Sequence, residues 1–270
     1  MRNMLYAGVA GAAMILGANA ASAADLYTPP PAEQAIAPAP APSGGWYIGV
    51  FGGAAFPLDM KTRAAAYETN NVSDDFFAFN GDTKFDTGWL VGGNIGYELG
   101  NGLRGEVEVS YMQAGNDKIK GRYAELYDYD NDGVLLVGNG SDRARGDLSA
   151  TFVLANLWYD FDMGTPFRPY IGGGVGVAFV DQNLKVFGAK LIDDSTTAFA
   201  FQAGAGFKWA LSDAIDLDIG YRFKGALDAK LKDRGYYSDQ FVDAGYVAQS
   251  KDDLFVHTVQ AGLTFHFGGY

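Results

Sequence analysis

Three groups of side chains sit at spacings that can carry chemistry. The first is a set of alternating charges: Arg104, Glu106 and Glu108 in one segment, and Asp216, Asp218, Arg222 and Lys224 in another. Alternate residues of an extended strand share one face. Each segment therefore puts mixed charge on a single side. Enclosed charges need partners, so a salt-bridge and hydrogen-bond network across a lumen is expected. Such a network either plugs the lumen or lines a narrow charged path that conducts. No member has an oriented partner that marks it as a general acid or base.

The second group is Asp128-x-Asp130-x-Asp132-Gly133, which matches the opening of a calcium loop. Three carboxylates at alternate positions converge on one hard cation, and glycine permits the sharp turn. The ninth position is Leu136 and the twelfth is Asn139, so the bidentate closing carboxylate is missing. The segment is either a weak Ca2+ site of the extracellular type or a solvated acidic loop. No other cofactor is expected.

The third group is the histidines, of which the chain has only two, His257 and His266. His257 shares parity with an apolar face and reads as an interfacial ring. The zinc-protease, nucleophile-elbow and phosphate-loop patterns are all absent. No catalytic residue is predicted, and the protein is not expected to be an enzyme.

Composition narrows the classes. The 270 residues carry 20 Lys+Arg against 32 Asp+Glu, a net charge of −12, and no cysteine. That balance argues against a nucleic-acid partner, which needs a positive field. Zero cysteine excludes disulfides and thiolate metal sites. The 37 glycines are roughly twice the average usage of about 7%. Together with 19 Phe and 16 Tyr they suggest a transmembrane β-barrel.

Residues 1–23 read as a signal peptide: Arg2, an apolar run over 4–18, and Ala21-Ser22-Ala23 before Ala24. Cleavage is expected between Ala23 and Ala24. Residues 24–45 hold six of the nine prolines among alanines and read as an extended periplasmic linker, with a spacer role or a cell-wall contact.

Residues 46–270 position the charges. Period-two alternation predicts strands over 46–56, 85–99, 103–113, 147–161, 167–180, 198–210, 215–224 and 254–267. The apolar faces are long and aromatic-ended. The opposite faces carry glycine, amides and charge, which is the inverted pattern of a barrel in lipid. Strand 147–161 is ambiguous in parity. Setting Thr151, Val153, Ala155, Leu157 and Tyr159 outward puts Asn156, Trp158 and Asp160 inside. Connections alternate between tight turns and long segments at 57–84, 114–146, 181–197 and 225–253. The expected fold is all-β: an eight-stranded antiparallel up-and-down transmembrane barrel with short periplasmic turns and long extracellular loops. Rim cations such as Lys84, Arg143, Arg145 and Lys251 meet lipopolysaccharide phosphates or stay solvated.

Five stretches carry a family resemblance. They are Gly45-Trp46-Tyr47-Ile48-Gly49, Asn156-Leu157-Trp158-Tyr159-Asp160-Phe161, Arg168-Pro169-Tyr170-Ile171-Gly172-Gly173-Gly174-Val175-Gly176, Ile219-Gly220-Tyr221-Arg222-Phe223, and Val259 to Phe267. In this order they resemble the small outer-membrane β-barrel proteins of alphaproteobacteria, loosely called porin-like, with an OmpA-like barrel. The resemblance implies a structural or surface-antigen role, with adhesive or haem-binding relatives. It leaves a small-solute channel and, more remotely, a lipid-modifying enzyme as alternatives. Expected partners are outer-membrane lipid, lipopolysaccharide, the barrel assembly machinery and host contacts. The resemblance also implies a closing aromatic that the assembly machinery reads. Gly268-Gly269-Tyr270 follows Phe267 here, so Phe265, Phe267 and Tyr270 are the candidates.

Overall fold

A strand with one apolar face buries that face in lipid or in a core, and its ladder must close if lipid surrounds it. Both demands are met in the computed structural model, which describes residues 44–70, 74–127, 133–186, 189–238 and 242–267. The strands are β1 (Trp46–Pro57), β2 (Met60–Asn70), β3 (Asp74–Phe85), β4 (Gly88–Glu98), β5 (Leu103–Tyr127), β6 (Val134–Asp160), β7 (Phe167–Val186), β8 (Ala189–Ser212), β9 (Ile215–Ser238) and β10 (Val242–Phe267). All pair antiparallel, and β1 closes against both β4 and β10. The ring β1-β4-β5-β6-β7-β8-β9-β10 is therefore an eight-stranded barrel with no edge.

Tight turns join strands at the end that holds β1's start and β10's close. Gly100 and Gly102 adopt positive φ there, which lets the β4–β5 connection reverse in four residues. Around this half of the barrel the outward residues are apolar and exposed, among them Trp46, Val50, Val107, Leu157, Ile171 and Val259. Trp46, Trp89 and Trp209 lie on this surface, whereas Trp158 points inward and is fully buried. The apolar band runs from Leu103 to Tyr111 on β5 and from Phe267 to Phe255 on β10.

The barrel does not stop where the lipid face stops. β2 replaces β1 beside β10, and β3 replaces β4 beside β5, so the sheet continues for another ten or so residues. The handover is marked by irregularities in several ladders. β5 carries an extra residue between Asn116 and Lys118 opposite Lys84 and Phe85, and its ladder to β6 shifts between Gly115 and Lys118; β9 carries an extra residue between Ala226 and Ala229 opposite Asp252 and Leu254; and the β7–β8 ladder shifts at Leu184/Lys185. Asp228, within the β9 bulge, takes a positive φ of 55°. Bulges are favoured at barrel rims because they re-aim side chains.

Polarity inverts across this level. Below it apolar residues face out. Above it Met60, Ile119, Ala229 and Leu231 face in and are buried, while Lys61, Lys120, Lys230 and Lys232 face out. The long connections predicted over 57–84, 114–146, 181–197 and 225–253 are consequently hairpins. The strands run well past residues 113, 180 and 224, where the sequence reading ended them. Phe85, at the start of the strand predicted over 85–99, instead ends β3 and packs partly against the interior, because it alternates with buried Thr83 and the strand breaks before β4 begins at Gly88.

Hydrogen exchange on the refolded barrel is expected to find amides 118–126 protected, since this stretch of β5 is laddered to β3 and β6. Exchange at loop-like rates there would show that the extension does not form.

Candidate functional site

The lumen holds the charges. Arg104 and Glu106 of β5 sit beside Asp160 of β6 and Tyr47 of β1. Arg104 Nε donates to both Asp160 oxygens at 3.0 and 2.9 Å, and its Nη1 donates to Glu106 at 3.2 Å. Glu106 also accepts Tyr47 Oη–H at 2.8 Å, Trp158 Nε1–H at 2.8 Å and Asn156 Nδ2–H at 3.0 Å. One level further from the turns, Glu108 accepts Lys224, Ser110 Oγ at 2.9 Å, Gln202 Nε2 at 2.8 Å and Asn156 Nδ2 at 3.1 Å. Nearest the turns, Lys208 Nζ pairs with Glu98 at 2.8 Å, while Asp216 takes Arg168 at 2.5 Å and His266 Nε2 at 3.0 Å.

Local sequence explains how these groups meet. β5 offers Arg104, Glu106, Glu108 and Ser110 at alternate positions, so all four project inward. The facing strands supply room: a Cβ on Gly174 would meet the Asn156 amide, and one on Gly206 or Gly220 would meet the Tyr170 hydroxyl. These glycines let large polar side chains of neighbouring strands lie across them.

All seven predicted lumen charges project inward, but not all form ion pairs. Arg104, Glu106, Glu108, Asp216 and Lys224 do. Asp218 is held by the Tyr170 hydroxyl at 2.8 Å. Arg222 has no carboxylate within ion-pair distance among the described residues. Its guanidinium lies 4.0 Å from the Trp158 ring centroid and 5.1 Å from that of Tyr170, a cation–π arrangement. Arg168 and Tyr170 were not singled out from sequence, although they share the parity of Gly172 and Gly174. The signal was present in the Arg168-x-Tyr170 alternation.

Beyond Glu108 the lumen turns apolar. Leu90, Met112, Leu148, Phe152, Leu184 and Leu254 are buried in one continuous cluster that fills the barrel toward the bulge level. The interior is thus closed twice, by an ion-paired layer and by a hydrocarbon layer. An eight-stranded ring is only wide enough to be filled by its own side chains.

The two histidines are far apart in role. His257 faces outward, with Nδ1 2.6 Å from the Tyr221 hydroxyl and its ring 5.1 Å from that of Phe223. His266 lies in the lumen near the turns. Phe265 and Phe267 are paired to Ile48 and Trp46 of β1. Ala23, Ala24, the Asp128, Asp130 and Asp132 motif, and Tyr270 lie outside the described residues.

A family model for the outer membrane protein beta-barrel domain matches residues 10–267. The chain belongs to that family. Family membership places it in the bacterial outer membrane, with the tight turns periplasmic and the hairpins outside. A protein of Brucella abortus is 28% identical over 94% of this chain and 95% of its own length. Major surface antigen 4 of Anaplasma marginale is 25% identical over 85% of this chain and 86% of its own. Among solved structures, the outer membrane protein OprG from Pseudomonas aeruginosa aligns with 84% of this chain and 98% of its own, at a TM-score of 0.44 and 15% identity.

Removing one member of a buried pair leaves the other unpaired, at a cost of roughly 3–5 kcal/mol. Lys224→Met is expected to lower the unfolding free energy in detergent by about that amount. Adding Glu108→Gln should recover most of the loss, and additive losses in the double variant would argue against coupling.

Proposed function

We propose that this protein is a non-conducting, non-enzymatic envelope barrel that stabilises the outer membrane and presents a contact surface outside the cell. The closed lumen carries this reading. Water and ions entering from either side meet a filled layer, and the apolar layer adds a dewetting barrier. The ion-paired layer ties most of its carboxylates to donors of its own wall.

The distal hairpins supply the surface. Cross-strand register aligns Val247, Ala65, Ala78, Ala124 and Val137 in one outward row, and Gly245, Tyr67, Phe76, Leu126 and Leu135 in the next. Leu135 is 62% exposed and Tyr67 45%, well outside the lipid band. Contiguous apolar surface in that position is characteristic of a contact site for another macromolecule. Beyond Arg143, β6 also presents an edge with no ladder partner toward β7 among the described residues. An unpaired edge is a template for an added strand. The relative named a major surface antigen is consistent with a surface role of this kind.

Single-channel recording on the refolded chain in a planar bilayer is expected to be silent, after a gel shift between unheated and boiled samples has confirmed folding. Steady, ion-selective openings would overturn the proposal. Cells displaying the protein should adhere to phenyl-coated and protein-coated beads more than cells displaying Leu135→Asn/Leu136→Asn/Val137→Asn. Equal adherence would overturn the surface-contact half of the reading.

A further inference from the structure

The cations of this acidic chain are sorted by place. Apart from Arg2, five of the 20 Lys and Arg residues point into the lumen: Arg104, Arg168, Lys208, Arg222 and Lys224. Every other one lies on the strand extensions at or beyond the bulge level, and none lies on the lipid-facing band. Four of those at the bulge level are already neutralised, whereas Arg143, Arg145 and Lys185 there have no carboxylate within ion-pair distance among the described residues. Lys84 reaches Asp59 at 2.6 Å, Lys118 reaches Asp117 at 3.1 Å, Lys61 reaches Asp252 at 3.8 Å, and Lys230 pairs with Asp228.

The next row outward is continuous across strands. Lys232, Gln249, Arg63, Asn80, Arg122 and Asn139 are direct cross-strand partners on six adjacent strands. The row alternates cation and amide without a carboxylate. Lys120 stands one step below it on β5, in the same outward column. Arg63, Lys120, Arg122 and Lys232 are exposed, and among the described residues none has a carboxylate within ion-pair distance.

Height decides what can meet this row. It begins five to seven residues beyond the last outward apolar residue of β1, Phe56. With a rise of about 3.3 Å per residue and a tilt of about 40°, Arg63 stands roughly 18 Å above the hydrocarbon boundary, and because the row crosses the tilted strands obliquely, Lys232 and Arg122 stand about 6 Å to either side of that height. In the outer leaflet of an outer membrane this zone holds the phosphorylated and carboxylated inner sugars of lipopolysaccharide. Guanidinium and ammonium groups pair with phosphate and carboxylate, and the interleaved amides suit sugar hydroxyls. Neighbouring strands are about 4.8 Å apart, so Arg63 and Arg122 are spaced about 10 Å on one surface, a reach that spans one saccharide unit to the next.

We infer that the Lys232–Arg63–Arg122 row, with Lys120, is a binding face for the anionic inner-core sugars of surrounding lipopolysaccharide. The face grips the leaflet in which the barrel sits, one storey below the apolar rows assigned above to outside contacts. It does not depend on the lumen's being closed.

The test uses the full mature chain, refolded into phosphatidylethanolamine vesicles with and without purified inner-core lipopolysaccharide. The measured quantity is the temperature of the unheated-to-boiled gel shift. Lipopolysaccharide is expected to raise it for the native chain. Arg63→Gln/Lys120→Gln/Arg122→Gln should melt as the native chain does in plain vesicles, yet lose that rise. At ~1 kcal/mol per surface cation, binding should weaken on the order of 100-fold. A control, Lys118→Gln, removes a cation that already has a partner and should keep most of the rise. If the native chain gains nothing from lipopolysaccharide, or the triple variant gains as much, the assignment fails. If a soluble sulfated glycan binds the native chain tightly while lipopolysaccharide gives no rise, the row serves a soluble polyanion and the assignment fails equally.

Discussion

Glu106 and Glu108 are the fixed points of the interior. Each accepts four hydrogen bonds, from partners on strands as distant as β1, β6, β8 and β9. A carboxylate sealed in a ring that lipid surrounds cannot turn to water, so its donors must come from the opposite wall. That demand explains otherwise separate features. Tyr47 and Trp158 are large residues inside a narrow lumen because each brings a donor to Glu106. Asn156 bridges the two carboxylates. Glycines at 174, 206 and 220 are small because the Asn156 and Tyr170 side chains lie over them. Arg222 lies over the aromatic faces this packing creates, and its charge is balanced through ring contacts rather than an ion pair.

The second constraint is the solvent on the outside. A strand passing from lipid into water must exchange its outward side chains from apolar to polar. The chain does this by moving its hydrophobic residues to the other face. Met60, Ile119 and Leu231 continue inward what Val109, Phe56 and Phe223 were doing outward. Since the interior already holds Leu148, Phe152 and Leu184, the inward hydrophobes above the bulges extend one core and close the barrel from above. The bulges on β5 between 115 and 118 and on β9 between Ala226 and Ala229 sit at the handover because an extra residue is a direct way to exchange faces without breaking the ladder.

Much of the barrel was legible because lipid leaves a simple imprint. Trp46, Ile48 and Val50 alternate with Tyr47, Gly49 and Phe51 for one reason, and the charges at 104, 106 and 108 have no other side to take. What escaped the reading is informative. Strand 147–161 was ambiguous because Leu148, Phe152 and Leu154 are apolar inside while Val153 and Leu157 are apolar outside. That two-sidedness is the trace of the hydrocarbon layer. Strands seemed to end at 113 or 224 because the apolar parity switched there, not because pairing stopped. Which charge meets which depends on the stagger between strands, which a single sequence does not encode locally. Asp218 and Arg222 therefore looked like any other pair of ions.

A closed interior leaves function to be ordered by height along the outside. Each outward residue meets one environment because the β-ladder fixes its height along its own strand. Ile171 and Val259 meet acyl chains. Arg63 and Arg122 stand where headgroup sugars lie, and Tyr67, Phe76 and Leu135 stand above them in water. A flexible loop would blur these levels, since one side chain would sample several. Continuing the barrel past the bilayer removes that freedom. The same hydrogen-bonded sheet that must be complete in lipid thus keeps a cationic row and an apolar row apart by about two residues of strand, roughly 5 Å of height. Leaflet contacts and outside contacts can then vary independently, one side-chain row at a time, without disturbing Glu106 or Glu108.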